Sequence, residues 1–80
     1  MYRIMLADDE GIVIDSLKFI IEKEFGDLCE IRYAKTGRSV IELAESFRPD
    51  IAVMDIQMPG INGIDAMKEI KKSNSSTVFI

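Results

Sequence analysis

Two short apolar runs, Ile4-Met5-Leu6-Ala7 and Ile51-Ala52-Val53-Met54, contain no polar residue. Strands that are apolar at every position are buried on both faces, the condition of strands inside a parallel sheet with helices above and below. Each run ends in acid: Asp8 and Asp9 follow the first, Asp55 the second. In an open α/β sheet, ligands bind at the carboxyl ends of the strands, so these carboxylates are placed for use.

Between the runs the apolar spacing changes to that of helices. Val13, Leu17, Ile20, Ile21 and Phe25 form one stripe of an amphipathic helix, which Gly26 ends. A second strand runs from about Cys29 to Ala34, and Thr36 then offers an N-cap for a helix whose apolar face is Val40, Ile41, Ala44 and Phe47. Pro49 disfavours helix in the residue before it, so this helix closes by Arg48 and the third strand begins near Ile51. Met58-Pro59-Gly60-Ile61-Asn62-Gly63 reads as a loop, with Asn62 capping a helix that turns Ile64, Met67 and Ile70 inward. Thr77-Val78-Phe79-Ile80 begins a fourth strand. The order βαβαβαβ predicts parallel pairing through right-handed crossovers, hence a doubly wound α/β sheet. Without internal repeats or a low-complexity linker, residues 1–80 are expected to form one domain and no second.

Composition narrows the function. A net charge of −4 disfavours nucleic-acid binding by this segment, since phosphate contacts need a basic face. Lys68, Lys71 and Lys72 cluster at the end of a helix, where cations complement the dipole. No apolar stretch approaches the roughly 20 residues of a membrane span, and the first residues lack a signal-peptide pattern, so the expected location is cytoplasmic. With no His to activate it, Cys29 is expected to be a packed thiol. At 48% apolar residues, eighty residues carry more apolar surface than so small a domain buries, which predicts either a missing piece or a partner subunit.

Carboxylates gathered without His or Cys make an oxygen-only site suited to Mg²⁺ or Mn²⁺ rather than Zn²⁺. A carboxylate can also attack phosphorus to give an aspartyl phosphate, a reaction in which positioning and electrostatics supply most of the catalysis. Asp55, alone at its strand end, is the candidate nucleophile, and the Asp8-Asp9 pair suits metal. The plainer alternative is that Asp9 or Glu10 caps the first helix and Asp55 is a turn residue.

Leu6-Ala7-Asp8-Asp9-Glu10, Ala34-Lys35-Thr36-Gly37, the segment from Arg48 to Asp55 and the Met58-Pro59-Gly60-Ile61-Asn62-Gly63 loop resemble, in register, the receiver domain of two-component response regulators. The resemblance implies a flavodoxin-like fold with strand order 2-1-3-4-5 and a site at the switch point between the first and third strands. It implies that Asp55 is the phosphoacceptor for a sensor histidine kinase. It implies Mg²⁺ held by Asp9, Asp55 and the backbone carbonyl of Gln57, with Asp8 acting through water. Met58, Pro59 and Gly63 would shape the adjoining loop. Such a domain is not a conventional enzyme, since it catalyses its own phosphorylation.

The family also places a Ser or Thr after the fourth strand and a Lys after a fifth, and these eighty residues hold neither. The expected form is therefore a receiver truncated after the fourth strand, with impaired transfer. Its uncovered sheet edge predicts a homo-oligomer or a domain-swapped dimer. The alternative function is a self-associating structural fragment without signalling activity. A phosphatase is disfavoured, because such enzymes commonly place a second acid two residues after the nucleophile and position 57 is Gln. On the first helix, Ser16, Phe19 and Lys23 are the candidate kinase contacts. The loop from Met58 to Gly63 fits a transcription regulator, so a parent protein with a DNA-binding output domain is compatible with this segment.

Overall fold

The computed structural model describes residues 1–55, 60 and 62–80. Strand β1 (Tyr2–Ala7) leads to helix α1 (Gly11–Phe25), then through a 3-10 turn (Gly26–Leu28) to β2 (Cys29–Ala34). Helix α2 (Gly37–Phe47), β3 (Ile51–Met54), α3 (Gly63–Ser73) and β4 (Val78–Phe79) follow. The four strands form one parallel sheet in the order β2-β1-β3-β4. This is the predicted order as far as the fourth strand.

Alternation along the strands builds two cores, one on each face of the sheet. Ile4 and Leu6 of β1 meet Ile14 of α1, with Leu17, Ile21, Ile31, Ile51 and Val53 packed around them. Met5, Ala7 and Ala52 point the other way and join Val40, Ala44 and Phe47 of α2 and Ile70 of α3. The charge-free runs are thus apolar because both faces are covered.

The helix boundaries follow local chemistry. Thr36 caps α2 in a capping box, its Oγ1 accepting from the Ser39 N–H at 3.2 Å while Ser39 Oγ accepts from the Thr36 N–H at 3.1 Å. Arg48, in the left-handed region at φ 50°, closes the helix, and its N–H donates to the Ala44 carbonyl at 3.0 Å. Asn62 caps α3, accepting from the Ile64 N–H at 2.7 Å.

Two predicted helix faces are corrected. On α1 the buried residue is Ile14, at 2% exposure, whereas Ile20 is 55% and Phe25 54% exposed. The sheet is met along Ile14, Leu17 and Ile21, a line rotated from the predicted stripe. On α3, Ala66 and Ile70 are buried, Met67 is half-buried and Ile64 is 44% exposed, so the inward line runs through Ala66 and Ile70 rather than through Ile64.

The amino ends of the strands are latched together. The Arg3 N–H donates to Asp50 Oδ2 at 2.8 Å, Arg3 Nε donates to the Arg48 carbonyl at 3.0 Å, and the Asp50 N–H returns to the Arg3 carbonyl at 2.8 Å. Buried Thr77 and Asn74 both donate to the Pro49 carbonyl, at 2.7 and 3.3 Å. Fixing the strands at this edge also fixes which residues emerge at the other.

Ile14→Ala is expected to cost about 2–5 kcal/mol in urea unfolding, and Ile20→Ala less than about 1 kcal/mol. Equal losses would mean that the inward face of α1 is assigned wrongly.

Candidate functional site

The register of β1 with β3 sets the site. Ala7 pairs with Met54, and the Asp55 N–H donates to the Ala7 carbonyl at 2.8 Å. On the other side of β1 the Asp8 N–H donates to the Ala34 carbonyl at 3.2 Å. Asp8 and Asp55 are therefore each the first residue beyond neighbouring strands, on the same rim of the sheet, and both are half-buried.

The chain turns directly after Asp8. Asp8 Oδ1 accepts from the Glu10 N–H at 2.9 Å, a local bond that bends the backbone into α1. Glu10 occupies the N-cap position but makes no side-chain capping bond, so the predicted alternative of a Glu10 cap is not realised. The turn gathers carboxylate oxygens of Asp8, Asp9 and Glu10 within 4.8 Å of one another, with Asp9 and Glu10 exposed. Glu10 was not among the predicted ligands, although a third consecutive acid after a strand was the available signal. A second feature not anticipated is Lys35, whose ammonium lies across the first residue of α1.

Asp55 also borders an open groove of ≈ 250 Å³ lined by Met54, Gly63, Ile64, Met67, Phe79 and Ile80. Except for Asp55 this lining is apolar or glycine. Gly63 is the first residue of α3 and is buried, which puts the start of that helix beside the rim. The predicted roles of Gln57, Met58 and Pro59 fall on positions outside the described residues.

The donor set meets the chemical requirements of a hard cation. It offers only oxygen atoms, at least one already oriented by a backbone N–H, in a chain that contains no His. The start of α1 supplies partial positive charge that eases the repulsion among the three acids. A divalent ion there would neutralise negative charge brought to the rim by a phosphoryl group.

A family model described as response regulator receiver domain matches residues 4–80. Chemotaxis protein CheY of Thermotoga maritima is 38% identical over 78 residues, 98% of this chain and 63% of that protein. The solved response regulator domain of Thermotoga maritima CheB superposes with a TM-score of 0.86 at 32% identity, covering 99% of this chain and 59% of that one. The same TM-score and identity hold for a crystal structure of histidine kinase ThkA in complex with response regulator protein TrrA, with 99% and 66% covered. The chain spans from about a fifth to about two-thirds of the length of the curated relatives it matches.

Asn keeps an acceptor oxygen for the Glu10 N–H and Ala does not. Asp8→Ala should therefore be about 0.5–1 kcal/mol less stable than Asp8→Asn in urea unfolding, while both variants bind Mg²⁺ more weakly than the parent in calorimetry. Equal stability of the two would show that the Asp8 bond does not hold the start of α1.

Proposed function

The chain belongs to the response regulator receiver domain family, and on that footing we propose that it is a phosphoacceptor module in which Asp55 receives a phosphoryl group from the phosphohistidine of a sensor histidine kinase. A carboxylate oxygen of Asp55 forms the new O–P bond as the N–P bond of the donor breaks. The electron pair returns to the imidazole nitrogen, and the product is an acyl phosphate on Asp55. The observation that carries this reading is the β1–β3 register, which sets Asp55, the first residue past β3, beside the end of β1, the strand that runs directly into Asp8, Asp9 and Glu10.

Mg²⁺ held by Asp9, Asp55 and the Gln57 backbone carbonyl, with Asp8 acting through water, would supply charge neutralisation for the phosphoryl oxygens. Asp8 fits a less direct role because one of its oxygens is already engaged by the Glu10 N–H. The buried start of α3 at Gly63 and the open apolar groove border Asp55 on one side. Transfer by these residues alone is expected to be slow, since the Ser or Thr and the Lys of the family pattern are not among them.

The kinase partner is supported by the likeness to the ThkA–TrrA structure. Ser16, Phe19 and Lys23 lie on the exposed side of α1, available for such a contact. No described helix is long and apolar enough to cross a membrane, and the reading places the chain's action in the cytoplasm. It includes no nucleic-acid contact by residues 1–80, which act as a single partial receiver domain. A DNA-binding output would belong to a parent protein.

A second reading, self-association, is favoured by an open apolar groove between Tyr2, Ile4, Phe25, Leu28, Cys29 and Ile51. Tyr2 is 62% and Leu28 62% exposed there. Sedimentation of the parent chain beside Phe25→Asp distinguishes the two: a dimer that becomes monomeric supports this second reading, and a monomeric parent removes it.

Incubation with Mg²⁺ and acetyl phosphate, followed by intact mass, is expected to show one phosphoryl adduct that Asp55→Asn lacks. No adduct on a chain with a folded circular dichroism spectrum would overturn the phosphoacceptor reading.

A further inference from the structure

Lys35 is the first residue after β2, and its side chain folds back over the start of α1. A Cβ on Gly11 would lie 3.3 Å from Lys35 Nζ and 4.0 Å from its Cε, closer than ordinary van der Waals contact at the ammonium. Gly11 is not among the positive-φ glycines, so the backbone does not demand glycine there. What the missing Cβ leaves is room for the ammonium.

A cation at this position is in the wrong place for the helix. The amino end of α1 carries partial positive charge, which repels an ammonium. The residues directly before Gly11 are Asp8, Asp9 and Glu10, whose gathered carboxylates supply the opposing attraction. Lys35 forms none of the ion pairs within 4.0 Å found among the described residues, which join Arg32 to Glu30, Arg38 to Glu42 and Lys72 to Glu69. It is an exposed charge beside Gly11, the residue that follows the three acids, rather than a closed partner of one of them.

We propose that Lys35 is a positioning residue of the rim: a resident positive charge that lowers the affinity of the rim acids, Asp8 and Asp9 after β1 together with Asp55, for a divalent cation below what the acids alone would give. The inference rests on the reading that Mg²⁺ binds at this rim. A single charge held within about one screening length, roughly 10 Å at 0.1 M salt, acts on both charges of the ion. Removing it strengthens divalent-ion binding by about 2- to 5-fold at such salt, and the effect collapses at high salt. Lys71 and Lys72 of α3 have no such role, because they lie in its last turn, away from the rim.

The test is calorimetric titration of Mg²⁺ and of Mn²⁺ into the parent chain, Lys35→Ala, Lys35→Arg, Gly11→Ala and Lys72→Ala, each checked for fold by circular dichroism. Lys35→Ala should bind about 2- to 5-fold more tightly at about 0.1 M KCl, with the gain lost near 1 M. Lys35→Arg should match the parent, and Gly11→Ala, which displaces the ammonium without removing it, should shift affinity in the same direction by less. Lys72→Ala, at the far end of α3, should match the parent. If the parent binds the ions and Lys35→Ala differs from it no more than Lys72→Ala does, the role of Lys35 is overturned while the metal reading stands. If no variant binds either ion, the metal reading fails and the inference with it.

Discussion

Burial of β1 on both faces is the constraint on which the rest of the structure depends. Met5 and Leu6 have no exposed surface, one facing α2 and α3 and the other α1. The strand is also paired along both edges, with β2 on one side and β3 on the other. A strand in that position has no freedom to slip, because a shift of one residue would exchange its two apolar faces and break both ladders. Everything that emerges from its end is therefore placed by the core rather than by a loop.

The site inherits that placement. Asp8 is the residue after Ala7, and its backbone still bonds to β2, while Asp55 bonds through its own N–H to the Ala7 carbonyl. The latch among Arg3, Arg48 and Asp50 at the opposite edge holds the two strands in this register. The core puts Asp8 and Asp55 on one rim, and the turn after Asp8 gathers Asp9 and Glu10 beside it. The turn from Asp8 into α1 adds local order, since a carboxylate oxygen of the cluster also fixes the backbone of Glu10.

Much of this was legible in the residues themselves. Runs without a polar residue announced doubly covered strands, and Thr36, Pro49 and Asn62 marked helix boundaries through capping and backbone restriction. The strand order and the shared rim for Asp8 and Asp55 follow from that pattern together with the family resemblance. The inward face of α1 was not legible, because Ile12, Phe19, Ile20 and Phe25 add apolar side chains around much of the helix, and only packing on Ile4 and Leu6 selects Ile14. Glu10 was obscured by its position, since an acid before a helix has an ordinary capping role. Lys35 left no pattern to read: its approach to Gly11 depends on two segments separated in the chain and joined by the pairing of β1 with β2.

A cation bound at the rim built by the β1–β3 register would meet both Asp55 and the acids after β1. Titration of Mn²⁺ into isotope-labelled chain, followed by amide NMR, tests it most directly through paramagnetic broadening. The expected result is loss of the Asp8, Asp9, Glu10 and Asp55 amide signals first, with those of Arg3 and Asp50 at the amino ends of the strands retained. Broadening confined to Asp8–Glu10 with Asp55 sharp, or broadening centred elsewhere, would contradict it.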